Sequence, residues 1–373
     1  MSLCALGGCS TIGYYSHLAW GEAHVLMARQ SIEKMIADPD TPDKLRRRLK
    51  TALRARAFAS DRLDLPRNDS YTLYADIDRP FVMYNVFATP KLSLEPIEHC
   101  FPIAGCVAYK GFYHRDGAEA LAARLRKQGD DVYIGGVPAY STLGHFADPI
   151  LSTMNRWSTD QLIGTIFHEL AHQKLYVKGD TAFNESFATF VQREGLREWH
   201  RANGLPPPDT TRTRRERQFT QLVLDTREQL KAVYASDMPD ARKRQEKHSV
   251  FKQLRQHYRR LRDTAWHGYD GYDHWFDTPI NNAKLLPFGL YDQYVPAFAE
   301  VFAQCHDQWA CFYARVKSVS ERDAKQRQAF LDRHTAKNAT NHTVGRALSA
   351  KGACGNRGDF LSDSVRPTRQ YHA

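Results

Sequence analysis

Between Ser158 and Lys174 the apolar positions fall on one helix face: Ile163, Ile166, Phe167, Leu170 and Ala171 recur at helical spacing. Ser158, three residues before Gln161, has the form of a capping box, and Gly179 sits where such a helix stops. A second amphipathic stretch follows. Asp180 or Thr181 would cap it, and Phe183, Phe187, Phe190 and Val191 would face inward. Upstream, 12–37 reads as one helix through Leu18, Val25, Leu26, Ile32 and Met35. The turn Asp38–Pro42 leads into an Arg-rich helix over 43–60. From Tyr71 to Phe112 the texture becomes that of strands: 71–74, 81–87 and 107–109 are β-rich runs bounded by Pro and Gly. A short helix over 117–128 and a strand over 131–143 come next.

Beyond the turn at 204–212, two long charged helices, 213–234 and 240–265, are broken by Ser236–Asp240. Leu222, Val223, Leu230 and Val233 would meet Val250, Leu254, Tyr258 and Leu261 in an antiparallel hairpin. Asn281 to Tyr294 reads as a further helix. From about Glu321 the periodicity fades, and 336–373, polar, basic and Gly/Ser-dotted, is expected to be a disordered tail. The sum is an α+β, mostly helical chain: helices beside a small mixed sheet, plus the hairpin. One domain over 12–335 contains the hairpin 213–265, flanked by the N-terminal residues 1–11 and the tail.

The first helix carries chemistry. His168-Glu169-Leu170-Ala171-His172 places two imidazoles four residues apart, one turn above the other on one face. They can converge on Zn2+, which takes such nitrogens together with a carboxylate and an open water position. Glu169 can serve that water as general base. Glu185, in the first turn of the second helix, is the candidate third ligand, because a helix–loop–helix of this length can fold back on itself. The metzincin extension is excluded, since Leu175 and Lys178 stand where it needs Gly and His.

At these residues the chain resembles gluzincin metallopeptidases and, more closely, a family of predicted bacterial zinc aminopeptidases, often lipoproteins. The matching blocks are 79–96 with 100–113, 131–149, 168–195 and 280–298, within a span from Ile12 to about Val316. The resemblance implies Zn2+ held by His168, His172 and Glu185, Glu169 as catalyst, and aminopeptidase action on a peptide substrate. It also implies an edge strand ahead of the metal helix, with which substrate backbone pairs by strand addition. Ala139, Tyr140 and Ser141 are the expected pairing positions, and Gly135, Gly136 and Pro138 mark an irregular strand. A buried core strand is the competing reading. The G-x-M-E-N motif that holds the substrate amine in large aminopeptidases is absent. Enzymes of this type place a Tyr or His opposite the metal to stabilise the oxyanion. Tyr291 is the first candidate, Tyr294 the second, and His267 and His274 are further alternatives.

Composition adds little. The net charge is +10, and much of the excess lies near 210–262 and in the tail without a base-reading motif, so it reads as solvated helix faces rather than nucleic-acid binding. Anionic lipid headgroups are a second use for that charge. No run of eighteen apolar residues occurs. Leu6-Gly7-Gly8-Cys9 resembles a lipobox, which would lipidate Cys9 and anchor a periplasmic protein to the outer membrane. It lacks a basic region before it, so a start further upstream is expected; a genuine start would leave the protein cytoplasmic. Cys100 and Cys106 bracket a turn and are open to either a disulfide or reduced packing. Cys305 and Cys311 read as helical, too far apart to bridge. A monomer is expected. The reading from another class is a non-catalytic, zinc-containing envelope protein that binds a partner through its basic hairpin.

Overall fold

The computed structural model describes residues 6–101, 105–289 and 293–335. Helix α1 (Leu6–Met27) ends earlier than the sequence suggests. A short strand, β1 (Arg29–Ser31), and helix α2 (Ile32–Ala37) replace its last turns, because Ser31 caps a new helix through Lys34 N. Helix α3 (Asp43–Asp61) follows, then β2 (Leu73–Ala75), β3 (Met83–Thr89), the hairpin strands β4 (His99–Phe101) and β5 (Gly105–Val107), and β6 (Tyr109–Phe112). Helix α4 (Arg115–Lys127) leads to β7 (Asp131–Val137) and β8 (Ile150–Leu151). The remaining chain is helical: α5 (Thr159–Lys174), α6 (Thr181–Ala202), α7 (Thr211–Ala235), α8 (Asp240–Asp263), α9 (Asp273–Asp277), α10 (Val295–Gln304), α11 (Trp309–Ser320) and α12 (324–335). It is therefore mostly helical with small mixed sheets, the α+β class expected. No described helix is long and apolar enough to cross a membrane.

Two three-stranded sheets flank the helices, beside the two-stranded β4–β5 hairpin. In one, β1 pairs antiparallel and β8 parallel with the central β2; in the other, the order is β6-β3-β7 with antiparallel pairing throughout. Strand β7 thus lies at a sheet edge, but it stops at Val137 rather than Leu143. Pro138 lacks an N–H to continue the ladder, its carbonyl accepts from Thr153 Oγ1, and Leu143 turns to φ +54°. The glycines of β7 keep regular register, Gly135 opposite Asn85 and Gly136 opposite Tyr84. Gly136 is required by packing, since a Cβ there would lie 2.5 Å from the Phe81 ring.

The main core gathers α3, α5, α6, α10 and α11. Ala52, Ala55 and Ala59 keep α3 slim on its buried face and so let it approach α5. The aromatic side chains of α6 bury between α10 and α11: Phe187 meets Phe298, Phe312 and Tyr313, and Phe190 meets Phe302 and Trp309. The hairpin α7–α8 has its own core of Phe219, Val223, Leu230, Val250, Leu254 and Tyr258, which Trp266, Trp275 and Leu285 complete.

Two sequence expectations fail here for local reasons. The described residues of 281–294 do not form the expected helix. Asn282 spends its side chain on the carbonyls of Pro90, Lys91 and Ser93, leaving only a 3-10 turn over Ala283–Leu285. Cys305 and Cys311 are bridged, with Cα atoms 5.6 Å apart, because His306 and Asp307 take positive φ and reverse the chain between α10 and α11. Although periodicity fades after Glu321, Leu331 of α12 is buried in the main core. Cys100 and Cys106 stand opposite each other across β4 and β5 and are joined. The Cys9 side chain, Tyr291 and the tail 336–373 lie outside what is described.

Candidate metal centre

Helix α5 is prepared before it begins. Arg48 of α3 donates to the carbonyls of Met154 and Trp157, holding the 3-10 turn that links β8 to α5. Ser158 and Gln161 then form the complete capping box. The helix ends at Leu175, and a six-residue loop, 175–180, with Gly179 at φ +79°, reverses the chain. Asn184 closes that loop: its amide oxygen accepts from Val177 N at 2.8 Å and its nitrogen donates to Val177 O at 2.8 Å. Asp180 caps α6 through Phe183 N and is itself clamped by the buried Arg327 of α12 at 2.9 Å. The first turn of α6 is thereby laid against α5, and Glu185 comes round to the histidines. The helices approach closely because Gly164 has no side chain; a Cβ there would stand 3.0 Å from Leu196 and 3.1 Å from the Gln192 amide.

The three expected ligands converge. His168 Nε2 and His172 Nε2 are 3.1 Å apart, and Glu185 oxygens lie 3.3 Å from the first and 3.5 Å from the second. A tetrahedral zinc with bonds near 2.05 Å needs ligand atoms about 3.3 Å apart, so this triangle has the size of one face of such a shell. Two nitrogens and one carboxylate are also the donor set that leaves a fourth position for solvent. The residues fit the ion. Among the described residues the other grouping of potential ligands is Glu98, Cys100 and Cys106, but its cysteines are exposed and joined in a disulfide, which removes both thiolates.

The electrostatics suit a cation at this point. Burial and the neighbouring His168 push His172 down to about 4, which keeps it neutral with a lone pair free. Burial opposes charge on His168, yet Glu185 and Glu169 outweigh it and raise its pKa. Glu185 is held below the usual range despite burial, chiefly by His168. Burial raises Glu169, against the pull of His168 and with the repulsion of Glu185 and Asp148.

Gln192 was not anticipated from the sequence. Its Oε1 lies 3.1 Å from His168 Nδ1, so it accepts that proton and leaves Nε2 to face the centre. Seven residues after Glu185, it sits two turns along the same face of α6, a spacing that could have identified it. His172 Nδ1 is buried and has no partner among the described residues.

The proposed substrate positions fare differently. Ala139, Tyr140 and Ser141 follow the end of β7 and are not strand residues, because the ladder has already stopped at Val137. The Tyr140 hydroxyl is committed to Glu22, which also accepts from Tyr113 at 2.6 Å. Ser141 donates to Asp148 at 3.0 Å. The hydroxyl oxygen of Tyr294, the second oxyanion candidate, accepts from Gln328 Nε2. His274 pairs with Asp277 beside Trp275 of the hairpin core.

The family model described as "Putative aminopeptidase" matches residues 13–331. The chain belongs to this family. Its span starts within α1 and ends at Leu331, so it takes in both helices of the candidate site, the hairpin and the core residue supplied by α12. The family supports peptidase-type hydrolysis as the general activity. No curated protein matches the chain, and no solved structure does.

Proposed function

We propose that the protein is a zinc-dependent aminopeptidase. The observation that carries this reading is the triangle of His168 Nε2, His172 Nε2 and Glu185, of a size that suits one zinc ion, with Glu169 beside it and bound to none of its members. His168, His172 and Glu185 would hold the ion, and Gln192 would keep His168 in the tautomer that presents Nε2. Zinc, when bound, supplies Lewis acidity and makes a water acidic enough to lose a proton near neutral pH. Glu169 takes that proton and later delivers it to the leaving amine nitrogen. Its partly buried setting, which favours the protonated form, suits a group that must hold a proton between the two transfers.

The test is zinc content measured beside hydrolysis of free and N-acetylated peptides, for the native chain and for Glu169→Gln. The substitution should retain stoichiometric zinc and lower kcat by roughly 10²–10⁴, the contribution of a positioned general base. Acetylation should abolish hydrolysis. Turnover that persists in Glu169→Gln excludes the mechanism, and indifference to acetylation makes the protein an endopeptidase.

A further inference from the structure

Leu143, Phe146 and Tyr176 are 38 %, 49 % and 51 % exposed, and none belongs to a hydrophobic core of the described residues. Leu175, which ends α5, is extended, so its side chain and the next point opposite ways. Leu175 and Val177 pack against the main core, and Tyr176 between them is left outside it. There its ring meets that of His172 edge to face, with centroids 6.2 Å apart. The backbone on either side is tied down, by Leu175 N to Ala171 O and by the two bonds between Val177 and Asn184. Tyr176 is therefore an aromatic ring fixed in solvent against a candidate metal ligand.

The loop after β7 reaches the same end of α5. Gly144 lies on Gln173, the residue after His172: a Cβ added to it would stand 3.3 Å from Gln173 Cδ. Gln173 is itself fixed, accepting from Asn68 Nδ2 at 2.7 Å and donating to Ser70 Oγ at 3.2 Å. Asp148 anchors the loop by accepting from Ser141 Oγ, Thr142 N and Thr142 Oγ1, and Thr142 Oγ1 accepts in turn from Phe146 N. This stiff tip displays Leu143 and Phe146 on either side of the contact with Gln173. Leu143 has φ +54°, which a branched side chain rarely adopts. Glycine or asparagine would serve such a turn at lower cost. Conformational cost that the surroundings maintain, here to display an apolar side chain, is characteristic of ligand-contacting positions.

We propose that Leu143, Phe146 and Tyr176 are specificity residues that bind the side chain of the substrate's N-terminal residue, so that the enzyme selects peptides beginning with a bulky apolar residue. Fixed apolar walls beside the metal ligands can take such a side chain without first being ordered. The proposal rests on the peptidase reading above. It is tested with the zinc-loaded native chain, Phe146→Ser, Tyr176→Ser and Tyr176→Phe, using the p-nitroanilides of leucine, phenylalanine, alanine and glutamate as probes. The native chain should favour leucine and phenylalanine over alanine roughly tenfold or more in kcat/KM. Phe146→Ser and Tyr176→Ser should each lower the leucine-to-alanine ratio about threefold or more, because the lost contact is made only by the larger side chain. Tyr176→Phe keeps the ring and should hold the ratio within about twofold. The ratio does not depend on the fraction of chains holding zinc, so a weakened metal site cannot mimic the effect. Equal rates of the native chain on all four probes overturn the proposal and leave the peptidase reading standing. Serine variants that keep the native ratio, or that lose activity equally on every probe, do the same. A zinc-loaded native chain that hydrolyses none of the probes and no free peptide overturns the peptidase reading, and the proposal with it.

Discussion

Replacing Gln192 by Leu isolates one hydrogen bond. The chain keeps a side chain of similar length between Gly164 and Leu196, so packing of α5 on α6 survives. What is lost is the acceptor 3.1 Å from His168 Nδ1, a ring only 16 % exposed. The N–H of that ring is then left buried without a partner, which costs about 1–3 kcal/mol. Loss of such an outer partner lowers metal affinity about tenfold to a hundredfold, or about 1.4–2.7 kcal/mol. At a fixed zinc concentration well above the dissociation constant, stabilisation by the ion falls by the same amount. For the roughly 320 described residues this is a drop of about 2–4 °C in the melting temperature of the zinc-loaded protein. Competition with a chromogenic chelator gives the affinity, and calorimetry with and without zinc gives the thermal shift. Affinity within twofold of the native chain would show that Gln192 does not orient His168 and would refute the reasoning.

Two further outcomes follow from the scaffold. Phe187, fully buried against Phe298, Phe312 and Tyr313, should cost about 3–5 kcal/mol when truncated to Ala; denaturant unfolding reads this, and a loss below 1 kcal/mol would mean the α6–α10–α11 core collapses readily around the gap. Burial would raise the Asp131 carboxyl, but the buried Lys247, the Asn282 N–H and Lys91 hold it below its ordinary range. A depressed carboxyl contributes stability that is present above the unfolded value, near 3.9, and is lost as pH falls through the lower folded value. Asp131→Asn should therefore flatten the fall in melting temperature below about pH 4 while lowering stability at neutral pH, and an unchanged acid profile would count against the assignment.

The local features of the site were legible because they obey short-range rules. Four-residue spacing put His168 and His172 on one face, and Ser158 with Gln161 announced the start of their helix. The errors occurred where side chains spend themselves on distant backbone. Asn282 looked like part of a helix, but its amide serves the 90–93 loop, and the helix does not form. The strand expected over 131–143 stops at Val137, because Pro138, expected as an irregularity within it, has no N–H to continue the ladder. Cys305 and Cys311 were judged by helical rise, a measure that fails once two positive-φ residues fold the chain back.

The sequence by itself determined which residues could bind an ion, since residue chemistry and helical period are properties of neighbouring positions. Only the tertiary structure decided that Glu185 reaches both imidazoles and that Gln192 stands behind one of them. Those placements depend on Gly164, which lets two helices touch, on Asn184, which closes their loop, and on Arg48, which holds the turn ahead of α5. Local periodicity says which face of a helix two residues share, as Glu185 and Gln192 do, but not what that face meets.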